Sequence, residues 1–268
     1  MHRKLNTLFV FLLIVVFITS ANTTQQWNIL LGTILATAFS LTVFIAEYLT
    51  LDGMFSAIVV GTYVLGLGGW PLAVVLVFFF LSSVLITRSL TKTEDSLREV
   101  RRDGAQVWAN GFWVLVCMAF WVVFDLEIFI IASWAAVATA TADTWATELG
   151  SDLPHATYLI TDFSTVSAGT DGGISLRGTT AALAGAAAIA AAGLYVFSLH
   201  FNIFICIFTA GFLGCLLDSY FGAIFQRNNR SVTLPVWNKT ISMDNNLVNG
   251  ISTGTGALLA VILKLLLA

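Results

Sequence analysis

Five short stretches carry polar groups of chemical use inside an otherwise oily chain. In "RRDGAQVWANG", Arg101 and Arg102 precede Asp103, Gln106 and Asn110, and the i, i+3, i+7 spacing puts these last three on one face of a helix. "ATADTWATELG" holds two carboxylates, Asp143 and Glu148. In "GFLGCLLDSYFGAIFQ", Gly214, Asp218, Gly222 and Gln226 recur at every fourth position, and glycines along such a stripe let a neighbouring backbone approach the carboxylate. "MDNNLVNG" sets Asn245 and Asn249 on a common face. Separated acidic oxygens around a wet pocket are what a hard divalent cation such as Mg²⁺ takes, with phosphate oxygens completing its shell. Asp143, Glu148 and Asp218 are the expected metal ligands.

The fifth stretch, "ITDFSTVSAGTDGGISLRGTT", is dense in Gly, Ser and Thr and runs into an Ala/Gly-rich helix beginning near Thr179. Its backbone N–H groups can form an anion nest, and the following helix N-terminus adds partial positive charge. Gly169, Thr170, Gly172, Gly173 and Ser175 are therefore expected to cradle phosphate, with Arg101, Arg102, Gln226, Asn245 and Asn249 as further phosphate contacts. Asp103, Asn110 and Arg177 are the expected catalytic groups. The loop is neither a Walker A sequence, since it lacks GK[ST], nor a Rossmann GxGxxG after a strand.

The elements that must position these groups are membrane helices. The chain has 268 residues, 58% hydrophobic and 10% charged, with a mean hydropathy of +0.90, whereas a soluble domain carries about 25% charged residues. Long unbroken apolar runs exclude a β-barrel, whose strands alternate over about ten residues. At about 17 to 25 residues per crossing, the expected fold is an all-α polytopic transmembrane helical bundle of about nine spans. They run over 5–21, 28–49, 54–68, 70–87, 107–124, 128–149, 179–198, 202–226 and 246–268. Residues 1–27 form an N-terminal helix, a membrane anchor or signal-like segment ending in Thr19-Ser20-Ala21, with an outer loop. Residues 28–268 form one polytopic membrane domain.

Orientation follows from loop charge, because Lys and Arg favour the cytoplasmic side. With the N-terminus cytoplasmic, eleven of the 12 basic residues fall inside: Arg3, Lys4, Arg88, Lys92, Arg98, Arg101, Arg102, Arg177, Arg227, Arg230 and Lys239. Only Lys264 is left, near a helix end where it can snorkel. Asp125 and Glu127 mark an acidic outer turn. In this topology every candidate group above lies at the cytoplasmic end of its helix, and an ionisable group inside a span costs about 2.5 to 3.5 kcal/mol on insertion scales.

Other chemistries find little footing. The net charge of −3 and scattered basic residues leave no nucleic-acid footprint. Cys117, Cys206 and Cys215 lie in apolar runs without CxxC spacing and read as core fillers. His2, His155 and His200 are dispersed, with no nucleophile-and-base order. Asn22, Asn229 and Asn238 stand in N-x-S/T sequons, of which only Asn22 falls outside in this topology.

Together, "RRDGAQVWANG", "ADTWATELG", "GTDGGISLRG", the Gly211–Gln226 stretch and "DNNLVNG" resemble a known integral-membrane family of long-unknown function. It includes plastid phytyl-phosphate kinase of the tocopherol pathway and a vertebrate transmembrane protein. The resemblance spans roughly residues 28–268. Thr147 replaces a Ser, and Tyr220-Phe221 an aliphatic pair, in the family pattern. The resemblance implies phosphoryl transfer from CTP or another nucleoside triphosphate to an isoprenyl (phytyl-phosphate-like) monophosphate at the cytoplasmic interface, with Mg²⁺.

Phosphoryl transfer needs chiefly positioning and charge neutralisation, and the substrate phosphate itself attacks, so no nucleophilic side chain is required. Two rivals share the residues. A membrane transporter or permease would set its ionisable groups near the bilayer midplane, and a CTP-dependent lipid cytidylyltransferase would use the same metal and phosphate groups. In each reading the lipid bilayer is a partner and the protein is integral to the membrane.

Overall fold

The computed structural model describes residues 2–19, 23–91, 100–151, 156–196, 200–227, 231–234 and 239–267. Lys92, Arg98, Arg230, His155, the Ser20-Ala21 step and the sequon residues Asn22, Asn229 and Asn238 lie outside them. Nine α-helices occur among the described residues: α1 (His2–Thr19), α2 (Thr23–Ile45), α3 (Leu51–Tyr63), α4 (Gly69–Leu90), α5 (Gly104–Phe124), α6 (Glu127–Ser151), α7 (Leu176–Val196), α8 (Phe201–Phe221) and α9 (Asn245–Leu266). The chain divides into two compact units, Met1–Trp134 and Ala135–Ala268.

The expected crossings match these helices to within a few residues. The count is eight when Leu51–Leu90 is taken as one helical track and nine when it is broken where the chain breaks it. After a π turn at Val64–Gly68, Gly69 adopts φ 74° and ψ −178°, a conformation that only glycine takes without strain. The track then folds back. An unbroken helix of 40 residues would set its ends about 60 Å apart at 1.5 Å per residue, yet Arg102 N donates to Tyr48 O at 3.0 Å while its guanidinium reaches Thr87 Oγ1, also at 3.0 Å.

In the first unit, α1 is a docked helix. Phe9 is 5% exposed and packs against the rings of Tyr63, Trp108 and Phe112. Tyr63 Oη donates to Phe9 O at 2.8 Å, and Trp108 Nε1 donates to Asn6 Oδ1 at 2.7 Å. The Tyr63 hydroxyl and the Trp108 indole N–H, which need partners in an apolar medium, find them on α1.

In the second unit the middle of α6 is the core. Ala135, Ala136, Ala138, Thr139, Thr141 and Ala142 are all buried. Helices in lipid associate through close packing of small residues rather than through hydrophobic exclusion, and the neighbours of α6 supply glycines at each approach. Gly185 of α7 lies against Thr141 and Ala142, Gly211 and Gly214 of α8 against Ala138 and Thr139, and Gly256 of α9 against Thr139. Thr139 and Thr141 each return their hydroxyl to a carbonyl one turn back, Ala135 O and Val137 O, so the core holds no idle hydroxyl at these positions.

The segment between α6 and α7 is the Gly-, Ser- and Thr-rich loop. It contains a small antiparallel sheet of order β2-β1-β3, from Thr157–Leu159 (β1), Thr165–Val166 (β2) and Gly173–Ile174 (β3). Strands this short give almost no periodic signal. A second pair, Ser231–Leu234 (β4) with Lys239–Ser242 (β5), precedes α9.

Candidate functional site

Four helix ends of the second unit converge. The end of α6, the start of α7, the end of α8 and the start of α9 enclose, together with the β-loop, a cleft of about 130 Å³. Its walls come from helix faces with ordinary phase. From α6 come Asp143, Ala146, Thr147 and Gly150, and from α7 and its cap Ser175, Gly178, Thr179 and Ala182, both runs following the i, i+3/i+4, i+7 rule. Gly150 and Gly178 meet where the two helices cross: a Cβ on Gly150 would come within 3.1 Å of Gly178 Cα, and one on Gly178 within 3.1 Å of Ala146 O, both tighter than ordinary contact.

Asp143 and Asp218 meet in this cleft with their carboxyl groups in hydrogen-bond contact. Asp218 is 8% exposed, and Ser252 of α9 also lies in hydrogen-bond contact with it. With its amide oriented to suit its neighbours, Asn249 donates to Asp218 Oδ1 at 3.1 Å and to Asn245 O at 3.0 Å. At the rim, Gln226 Nε2 donates to Asn245 Oδ1 at 3.5 Å. The four-residue stripe on α8 serves as expected: Thr139 packs on Gly214, and the loop backbone at Gly172 N comes to Gly222.

The loop forms the side wall. Gly172 has φ 78°, and a side chain there would collide with Ala223 in the π turn Gly222–Gln226 that ends α8. The cradle is narrower than the sequence implies. Thr170 N donates to Ser167 O, Gly173 N to Thr170 O, and Gly178 N to Ser175 Oγ. Those three N–H groups are engaged within the segment, and Ser175 serves as the cap of α7. Gly169, Thr170, Gly172, Gly173 and Ser175 do line the cleft.

Among the expected members near the cleft, Asn249 lies behind its wall, and Glu148 and Arg177 are off it for reasons of helix phase. Glu148 follows Asp143 by five positions, about 140° around a helix of 3.6 residues per turn, and it is absent from the lining, which takes 143, 146, 147, 150 and 151 from α6. Arg177 is likewise out of phase with Ser175, Gly178 and Thr179, and does not line the cleft. Asp171, which sequence reasoning passed over inside "GTDGG", does line it; its neighbour Gly172 was the visible signal. Asp162, at the far turn of the same loop, is held below the usual carboxylate range by the hydroxyl and N–H of Ser164, which both donate to Oδ1.

Asp103, Asn110, Arg101 and Arg102 belong to the first unit and are bound there. Asp103 caps α5, accepting from Gln106 N at 2.8 Å while Gln106 Oε1 accepts from Asp103 N. The i, i+3 pair is thus a capping box. Asn110 donates to Gln106 O at 3.2 Å. Arg101 pairs with Glu47 at 2.7 Å, and Arg102 joins Leu49 in a parallel β-bridge. Asp52 and Glu47 were missed because they sit at a helix junction rather than in a polar run. Asp52 accepts from Thr50 Oγ1 at 2.6 Å and from Gly104 N at 3.0 Å.

The donor set of the cleft suits a cation that arrives with phosphate. Among the described residues no group of three or more His, Cys, Asp or Glu side chains is placed to hold a metal alone. Mg²⁺, however, is usually held by one or two carboxylates with substrate phosphates and water, and the Asp143–Asp218 pair provides two.

A family model described as integral membrane protein DUF92 matches residues 34–257. An uncharacterized membrane protein of Methanocaldococcus jannaschii is 30% identical over 214 residues, covering 79% of this chain and 84% of the relative. An uncharacterized membrane protein of Synechocystis is 31% identical over 225 residues, covering 80% of this chain and 82% of the relative. No solved structure matches. The matched region holds all five polar stretches, whereas α1 precedes it.

Proposed function

Because the chain belongs to the integral membrane protein DUF92 family, we propose that it is a membrane-embedded phosphotransferase that passes a phosphoryl group from CTP or another nucleoside triphosphate to an isoprenyl monophosphate at the cytoplasmic interface. The observation that carries this reading is the Asp143–Asp218 pair at a polar cleft walled by a glycine loop and four helix ends. The resemblance to phytyl-phosphate kinase supports the substrate class.

In this reading an oxygen of the prenyl monophosphate attacks the γ-phosphorus, a new P–O bond forms, the bond to the β-phosphate oxygen breaks, and a nucleoside diphosphate leaves. Asp143 and Asp218 would hold Mg²⁺, which supplies neutralisation of the phosphate charge. Thr147 and Thr179, which both line the cleft, offer hydroxyl donors to phosphate oxygens. Asp103 and Asn110, engaged in and beside the α5 cap, keep a structural role, and Arg177 acts on charge at a distance.

The test is turnover by the purified full chain in detergent with Mg²⁺, isoprenyl monophosphates of several lengths, and CTP labelled at the α- or the γ-phosphorus, with products resolved by thin-layer chromatography. A prenyl diphosphate carrying γ-label supports the proposal. Label transferred from the α position makes the protein a cytidylyltransferase, and no transfer to any lipid overturns both enzymatic readings in favour of transport.

A further inference from the structure

Of the two asparagines that open α9, one faces the cleft and the other faces a carboxylate. Asn245 lines the cleft, while Asn249, one turn further into the helix, does not. Its amide nitrogen is instead divided between Asp218 Oδ1 at 3.1 Å and the carbonyl of Asn245 at 3.0 Å. An amide in that position has both hydrogens directed, and the pair of bonds joins the carboxylate on α8 to the backbone of α9. Ser252, 1% exposed and in the adjacent turn, also contacts Asp218.

A carboxylate in a membrane interior has few groups to orient it. Without a donor on one oxygen it rotates about its terminal torsion, which has a broad, roughly two-fold preference rather than sharp wells. A ligand held by an outer partner loses less freedom when it binds a cation, and removing such partners typically costs about 10 to 100-fold in metal affinity.

We infer that Asn249 is a positioning residue that acts through Asp218. It fixes Oδ1 so that the carboxylate is set for a divalent cation shared with Asp143, and it makes no contact with phosphate. The inference rests on the phosphotransferase reading only for its use of the cation; the pairing itself is a property of α8 and α9.

The experiment is Mn²⁺ binding to the full chain in detergent at a fixed concentration of inorganic phosphate, followed by the loss of free-ion paramagnetic signal beyond that of a protein-free sample, for the wild type and for Asp218→Asn, Asn249→Ala and Asn249→Ser; no binding by the wild type overturns the inference. The expected result is loss of binding in Asp218→Asn, a weakening of about 10 to 100-fold in Asn249→Ala, and an intermediate affinity in Asn249→Ser, which keeps a donor. In turnover, Asn249→Ala should raise the metal concentration for half-maximal rate while its rate at saturating metal stays within about threefold of wild type, and KM for the nucleotide should not move. A phosphate contact would instead raise KM for the nucleotide at every metal concentration, which overturns the inference. Wild-type Mn²⁺ affinity in Asn249→Ala with binding abolished in Asp218→Asn also overturns it and leaves the metal site intact. Wild-type affinity in Asp218→Asn removes the metal site itself. If Asn249→Ala fails to fold, the graded response of Asn249→Ser decides.

Discussion

Asp143 on α6 and Asp218 on α8 touch carboxyl to carboxyl inside one cleft. Two like charges at that separation repel unless a cation or a proton stands between them, so the pair works as a unit. Asp143→Asn and Asp218→Asn should each reduce phosphoryl transfer at least about 100-fold. The double substitution should be little worse than either single one, as for residues that act jointly. Steady-state rates check this; multiplicative losses would show that the two act separately. Thermal midpoints should hold or rise, because each change removes a charge from the membrane interior.

Gly169 and Gly172 are matched in conformation and differ in surroundings. Both have φ near 80°, but nothing lies within 4 Å of a Cβ on Gly169, whereas one on Gly172 collides with Ala223. Gly169→Ala should cost about 1 to 2 kcal/mol for the left-handed backbone alone. Gly172→Ala should cost more and lift the loop from the end of α8. Labelling of a cysteine placed at Thr170 reads the lift: faster modification is expected in Gly172→Ala and an unchanged rate in Gly169→Ala.

Thr139 fills the notch between Gly214 and Gly256, and a methyl on Gly256 would overlap its Oγ1. Gly256→Ala should destabilise the second unit by about 1 to 3 kcal/mol, the usual cost of overpacking. Thr139→Ala in the same chain should recover part of that loss. A double-mutant cycle in SDS-induced unfolding measures the coupling, expected at about 1 to 2 kcal/mol for residues in contact.

Arg177 separates sequence spacing from helix phase. As a direct donor to the transferring group it would be worth about 2.7 to 4 kcal/mol, the loss seen on removing one oxyanion donor. Its place off the cleft wall gives a smaller expectation, less than a tenfold fall in kcat for Arg177→Ala. A fall of a hundredfold or more would mean that its guanidinium reaches the substrate.

Much of the fold was open to reading because hydropathy in lipid reports directly on helices: every crossing was found from apolar run length. The Asp143–Asp218 meeting was likewise foreseen from two carboxylates near helix ends and a glycine stripe. What sequence spacing does not carry is angle: Glu148 and Arg177 do not line the cleft, and the five-residue step from Asp143 turns Glu148 well away from it. Asp103 and Ser175 carry oxygens that suit catalysis and capping equally, and the backbone N–H groups of Gln106 and Gly178 took them. Arg101 and Arg102 carry the charge that orients loops, yet their partners Glu47 and Thr87 sit across non-local junctions that no periodicity reveals.

The π turn closing α8 has a consequence for how the site tolerates change in length. Arg227 N reaches back to Gly222 O at 3.0 Å, five residues earlier, so one residue more than an α-helix needs is wound into that turn. The surplus residue works as a spacer in rotation: it delays the chain by roughly 100° after Asp218 has been placed by the regular helix. Gln226 is thereby aimed at Asn245 independently of the phase that aims Asp218 at Asp143. Removing one residue from Gly222–Gln226 would leave the carboxylate pair in register while swinging the rim and the seat of Gly172 together, so floor and wall of the cleft are separately adjustable by insertion and deletion at one point in the chain.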